Sequence, residues 1–213
     1  MIKKIFLVVA GFFCLLVLSL YIRSLPLLRR LPSQKKVSLD GITTLEEAVA
    51  ACRRSGLTGW ELVEYAQKLV ARKMTYSRLN SWDTPSRAFE RGMGYCLHSS
   101  QALHKIYRKL GIDSTPVHAF KCRFKPEIVD GLPSVVEESG HTWLRVRVGN
   151  EVKDVCPGSL NNRPGVIDFE IVSKVYRFGI PMVMLTYLGS VHYNIERDKA
   201  ALKLEKNRTT GTL

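Results

Sequence analysis

Cys96, His141 and Asp154, in that order along the chain, are the residue types of a nucleophile, a general base and a group that orients the base. A thiol attacks a carbonyl as its thiolate. A helix amino terminus favours that form through its dipole and its unpaired N–H groups. Cys96 begins the stretch Cys96–Leu110, where Leu103, Ile106, Tyr107 and Leu110 fall on the face that Cys96 starts. The N–H groups at that end could also hold the oxyanion of a tetrahedral intermediate. Gly92 and Gly94 let the chain turn tightly into the helix and keep the thiol approachable. His141 opens a strand and would serve as general base, then general acid. Asp154, on the next strand, would fix its tautomer.

The remaining polar candidates fall to structural roles. His98 lies about 200° around the helix from Cys96 and faces other partners. His104 reads as a helix-surface residue, and His118 and Cys122 share a strand face with Phe120 as packing groups. Arg145 and Arg147 read as strand-surface charges. There is no CxxC and no clustered His/Cys/carboxylate spacing, so neither a metal nor a cofactor is expected.

The elements that must position these residues have clear start and stop signals. Thr44-x-x-Glu47 and Thr58-x-x-Glu61 read as capping boxes that open two helices, the first closed by Gly56 and the second running to about Met74. In the second, Leu62, Tyr65, Ala66, Leu69 and Val70 form an apolar face. Residues 77–95 are turn-rich, and Gly111 ends the Cys96 helix as its C-cap. Thr115–Phe124 reads as a strand and Lys125–Gly140 as a long loop. Thr142–Val148 and Glu151–Val155 read as strands joined by a two-residue Gly149-Asn150 turn. Val166–Phe178 and Val183–Tyr193 read as further strands, and a charged helix follows from about Glu196. Helices first and antiparallel strands afterwards indicate an α+β domain.

Composition sets the outer bounds. The 213 residues are 46% apolar and 24% charged, which permits one buried core plus a short terminal segment and excludes wholesale disorder. The net charge of +13 is unevenly placed: residues 1–36 hold seven basic side chains and no acidic one, leaving +6 for the other 177 residues without a basic block. That distribution fits a membrane surface and argues against nucleic acid as a partner. Ile5–Ile22 is an 18-residue run without a charge, long enough for a single-pass anchor in the lipid bilayer and followed by no small-x-small cleavage site. A cell-membrane location is therefore expected. The five basic residues after the run favour a cytoplasmic domain, while export by a short N-terminal anchor favours the opposite side, and the sequence leaves that choice open. The expected divisions are an anchor over 1–22, a basic linker over 23–42, the folded domain over 43–195 and a charged tail over 196–213.

The local wording narrows the chemistry. Gly92-Met93-Gly94-Tyr95-Cys96 with the Leu110-Gly111-Ile112 turn, Gly140-His141-Thr142-Trp143-Leu144, and Asp154-Val155-Cys156-Pro157 resemble the three motifs of the transglutaminase-like superfamily over roughly residues 75–160. Cys96-Leu97-His98-Ser99-Ser100 with that same turn also resembles the leader-peptide proteases of lasso-peptide maturation. The resemblance implies a core of helices packed on an antiparallel sheet and a papain-like cysteine protease, amidase or acyltransferase. Its substrate would be a peptide or protein. Carried over by position, Cys96 is the nucleophile, His141 the base and Asp154 the orienting acid. The Cys96 N–H would be one oxyanion donor and Trp82 a candidate for the second. An inactive relative that keeps the groove for binding is the alternative, as is a membrane-tethered interaction module.

The position of Asp154 carries a tension of its own. With the tight Gly149-Asn150 turn, Asp154 sits opposite Arg145, and an ideal ladder leaves it ~13 Å from the His141 register. The commoner family spacing from His to acid lands on Cys156. Either a bulge or a wider loop shifts the register, or Asp154 is the cross-strand partner of Arg145, with Asn161 or Asn162 as the fallback.

Overall fold

The computed structural model describes residues 2–31, 36–124, 128–129, 132–133 and 138–209. Its elements are helices α1 (Ile2–Arg30), α2 (Leu45–Arg54) and α3 (Gly59–Lys73), strand β1 (Thr75–Tyr76), helix α4 (Pro85–Arg91), strand β2 (Met93–Gly94) and helix α5 (Cys96–Leu110). Then come strands β3 (Asp113–Arg123), β4 (Ile128–Val129), β5 (Leu132–Pro133), β6 (Glu138–Val148), β7 (Glu151–Val155), β8 (Glu170–Ile171) and β9 (Val175–Arg177), and helix α6 (Ile180–Thr209). The class is α+β, with one antiparallel sheet in the order β7-β6-β3 and both β8 and β9 on the far side of β3.

The local signals account for most of these boundaries. At α2 the Thr44 hydroxyl accepts from the Glu47 N–H at 3.2 Å, while the Glu47 carboxylate accepts from the Thr43 and Thr44 N–H groups at 2.7 Å. The expected box at α3 does not form: Thr58 is the N-cap but makes no side-chain capping bond. The buried face of α3 is also turned relative to the expected one. Val63, Ala66, Gln67, Leu69 and Val70 are inside, and Tyr65 is exposed. In α5, Leu103, Ile106 and Tyr107 are fully buried as the spacing required, and Gly111 caps the helix at φ 77°.

The main core forms where α2, α3 and α5 meet the even-numbered side chains of β6. Leu103, Ile106 and Tyr107 pack with Val63, Val70, Leu144 and Val146, and the Tyr107 hydroxyl donates to the Val63 carbonyl at 2.8 Å. Burying each such side chain contributes about 1.5–3 kcal/mol. Because α5 is the centre of this core, its amino terminus is held rigidly against the sheet.

Two further expectations differ from the structure. Val183–Tyr193 is helical, not a strand, because α6 buries Ser190, Val191, Asn194 and Ile195 at helical spacing. Val166–Phe178 holds two short strands, β8 and β9, instead of one. Residues 22 and 195, where the expected anchor and folded domain end, lie within α1 and α6. The loop expected over Lys125–Gly140 lies largely outside the described residues, as does the end of the tail from residue 210.

The helix α1 contains one stretch, Leu7–Pro26, long and apolar enough to cross a membrane, and most of its side chains are exposed. Its carboxyl-terminal part is packed. Leu20 is buried with Val191 and Ile195 from α6, and Arg23 forms an ion pair with Glu196 at 2.8 Å.

Candidate active site

The nucleophile candidate is presented by a short series of constrained steps. Parallel pairing of β1 with β2 sets Tyr76 beside Gly94, two residues before Cys96. Gly92 has φ 73°, the left-handed region that favours glycine, and a Cβ there would stand 2.8 Å from the Val37 Cβ. A Cβ on Gly94 would meet the His98 Cβ at 2.7 Å. Both glycines therefore serve close packing, one against the chain that precedes α2 and the other against α5. Tyr95 is the N-cap of α5 and makes no side-chain capping bond, so the first N–H groups of the helix have no side-chain acceptor from that cap.

Cys96 is 7% exposed and sits in a cluster with Tyr95, Leu97 and Phe178, against which Tyr76, Met182, Val183 and Tyr187 pack. Burial pushes its thiol above the ordinary range. Hydrogen bonding from Thr142 and the positive charge of Arg78 act in the opposite direction. Thr142 is the chain neighbour of His141, and its carbonyl accepts from the Ser100 hydroxyl at 2.8 Å, which ties α5 to β6 at this point. The amino terminus of α5 is thus docked at the His141 end of β6.

His141 is 7% exposed, with Phe169 at 4.5 Å and Phe124 at 5.0 Å ring to ring, and it stacks with Trp143 at 6.1 Å. Its Nε2 lies 3.3 Å from the Sγ of Cys156. Burial drives its imidazolium down to about 3, and repulsion from His118 and Arg78 adds to the shift. Burial therefore favours the neutral form of both thiol and imidazole.

The structure does not bring Asp154 to His141. Asp154 is the register partner of Arg145, whose Nε donates to its Oδ1 at 3.1 Å. The two-residue turn forms, with Val148 opposite Glu151, so no register shift rescues the carboxylate. The Cys156 carbonyl accepts from the side-chain amides of Gln67 at 2.9 Å and Asn162 at 3.2 Å, and the Gly158 N–H reaches its Sγ at 3.4 Å. Asn162 thus secures Cys156 and does not replace it, and Asn161 is exposed. Trp82 is also committed elsewhere, its indole N–H donating to the Ser24 hydroxyl on α1 at 2.8 Å.

Two residues near the site were not among the expected catalytic ones. Cys156 lies within the Asp154–Pro157 motif, at the position where the commoner spacing from His141 lands. Arg78 had no sequence signal, since its place depends on the β1–β2 pairing. His98 turns away from Cys96 as its position on the helix required, and its Nε2 meets the Asp83 carbonyl at 2.9 Å. Among the described residues no group of three His, Cys, Asp or Glu side chains is placed to hold a metal.

One comparison with known proteins, that with a family model, agrees with the motifs. A solved structure described as "Crystal structure of a TGase" is 14% identical over 55% of this chain, with a TM-score of 0.40, and the match covers 31% of that structure's own chain. Among curated proteins, none matches the chain. The family model for the transglutaminase-like superfamily matches residues 46–153, from α2 into β7 and just over half of the sequence. On that match, over a segment that contains Cys96 and His141, the chain belongs to the transglutaminase-like superfamily.

Proposed function

We propose that this chain is a membrane-anchored cysteine hydrolase or acyltransferase that acts on amide bonds of a peptide or protein. The observation that carries the reading is the docking of the uncapped amino terminus of α5, with Cys96 at its first turn, against Thr142 beside His141. Cys96 is the nucleophile. His141, next in chain to the Thr142 that meets Cys96, takes the thiol proton. The sulfur–carbon bond forms as the amide carbonyl becomes an oxyanion, which the N–H groups of the α5 terminus are placed to receive. His141 then returns the proton to the departing amine, and water or a second amine cleaves the thioester.

Because thiol and imidazole are both neutral at rest, proton transfer accompanies attack and does not precede it. Phe178, Met182 and Val183 must move aside to admit an amide. Cys156 replaces Asp154 as the residue at the third position, and a neutral thiol orients His141 without stabilising its cation. Anchoring through Leu7–Pro26 is supported by the packing of Leu20 and the Arg23–Glu196 ion pair, which join the apolar helix to the folded domain.

An electrophilic peptide probe, such as an acyloxymethyl ketone, tests the reading on the full-length chain in detergent. The expected result is one adduct on Cys96, absent in Cys96→Ala and slowed at least about a hundredfold in His141→Ala, in line with general-base catalysis. Labelling of Cys96 that does not depend on His141 would overturn it. The same result would favour a second reading, a peptide-binding relative without turnover. That alternative is motivated by the ring nitrogen of His141 that meets a thiol where a carboxylate would orient it.

A further inference from the structure

Arg78 stands at the edge of this site with most of its hydrogen-bonding capacity unspent. It follows β1, where the Ser77 N–H donates to the Gly94 carbonyl at 3.1 Å, and it opens a turn closed by the Ser81 N–H on its own carbonyl. Asn80 pins that turn, its side-chain amide reaching the Met93 carbonyl at 2.9 Å, and Asn194 of α6 donates to the Arg78 carbonyl. The backbone under the side chain is therefore fixed to β2 and α6. The guanidinium carbon lies over the Tyr193 ring, 4.0 Å from its centroid, and Nε donates to the Tyr76 hydroxyl at 3.3 Å. Tyr76 in turn packs on the Cys96 cluster.

Several arginines near the sheet and α4 have acidic partners: Arg91 has Asp83, Arg123 has Glu138 and Glu170, and Arg145 has Asp154. Among the described residues no carboxylate pairs with Arg78. Its charge is nevertheless close enough to act on both Cys96 and His141. A half-buried guanidinium held over one ring, with no carboxylate on its fork among the described residues, matches a carboxylate in shape and charge.

We infer that Arg78 is a specificity-determining residue that binds a carboxylate of the substrate next to the scissile amide. The carboxylate is either the free carboxyl terminus of a short peptide or an acidic side chain. The inference rests on the reading of Cys96 as nucleophile, and the test separates the two. Full-length protein in detergent is alkylated with iodoacetate or iodoacetamide, and each rate is followed on the Cys96 peptide by mass spectrometry. In both reactions the Cys96 thiolate displaces iodide to form an S–CH2 bond, and the thiol proton passes to solvent base. The two reagents differ in one carboxylate.

Dividing the two rates cancels any change in thiol reactivity and leaves recognition of the anion. The iodoacetate-to-iodoacetamide ratio should fall about tenfold in Arg78→Gln, within the range of a charge-assisted hydrogen bond. It should fall less in Arg78→Lys, which keeps the charge and loses the fork. In the unsubstituted protein the ratio should drop as salt is raised from ~0.01 M to ~1 M, a readout that does not depend on a variant folding. Protection of Cys96 by a peptide with a free carboxyl terminus, or by an amidated peptide with one Glu, then tells which source is bound. A ratio unchanged by both Arg78→Gln and salt would overturn the assignment while iodoacetamide labelling left the nucleophile standing. Absence of Cys96 labelling by either reagent would overturn both.

Discussion

His141 and Trp143 point from the same face of β6 as Arg145 and Arg147, yet the two ends of that face have opposite environments. At the first end, Trp143 is fully buried and His141 nearly so, under Phe124 and Phe169. At the second, Arg145 pairs with Asp154 and Arg147 with Asp113, at 3.1 and 3.6 Å, with the arginine side chains about half exposed. Strand parity is identical, so it cannot be the cause. The difference comes from the chain beyond β7, which folds Cys156 and Phe169 back over one end and leaves the other open. Burial there holds His141 neutral, and openness at the other end leaves Asp154 free to satisfy the nearest arginine.

Removing the cover is the strongest way to break this contrast. Trp143→Ala deletes a fully buried ring that meets Phe169 at 5.4 Å, and it should destabilise the fold by about 3–5 kcal/mol in chemical denaturation. A loss under about 1 kcal/mol would mean that the covered end is not a packed core.

Acid sharpens the contrast, because it acts on buried histidines, His141 at the covered end and His98 on α5. Burial lowers His141 to about 3 and His98 to about 4, both below the ordinary value of 6.5. The unfolded chain therefore binds more protons than the folded one between pH 6.5 and those values. Stability is complete above pH 6.5 and is lost as pH falls, by at most about 1.4 kcal/mol per pH unit for each residue. Denaturation midpoints measured from pH 7.5 to 4.5 should decline with a slope that His98→Gln reduces. A flat profile would show that these rings are not held neutral.

The open end should respond least. Asp154→Asn breaks an exposed pair, and such pairs contribute about 0–1 kcal/mol. The expected result is a stability change within that range and unaltered Cys96 labelling by the electrophilic probe. A tenfold loss of labelling would restore Asp154 to the catalytic group.

The sequence alone carried the features that arise within one element or across one turn. The α5 helix and its glycine cap follow from spacing between residues three to seven apart. The Arg145–Asp154 register follows from a two-residue turn and a period of two, arithmetic that already set Asp154 against Arg145 and pointed to Cys156. The segment Val183–Tyr193 reads as a strand in isolation because its β-branched and aromatic residues fit either period until a partner face selects one. That face is supplied by Leu20, Leu79 and Trp82, more than a hundred residues earlier. The same docking takes the Trp82 indole to Ser24, and the pairing of β1 with β2 brings Arg78 beside Cys96. Local patterns encode which face of an element is apolar. What covers that face, and hence which thiol is buried, which histidine stays neutral and which arginine keeps its fork free, is set by contacts between distant segments that no short window of sequence contains.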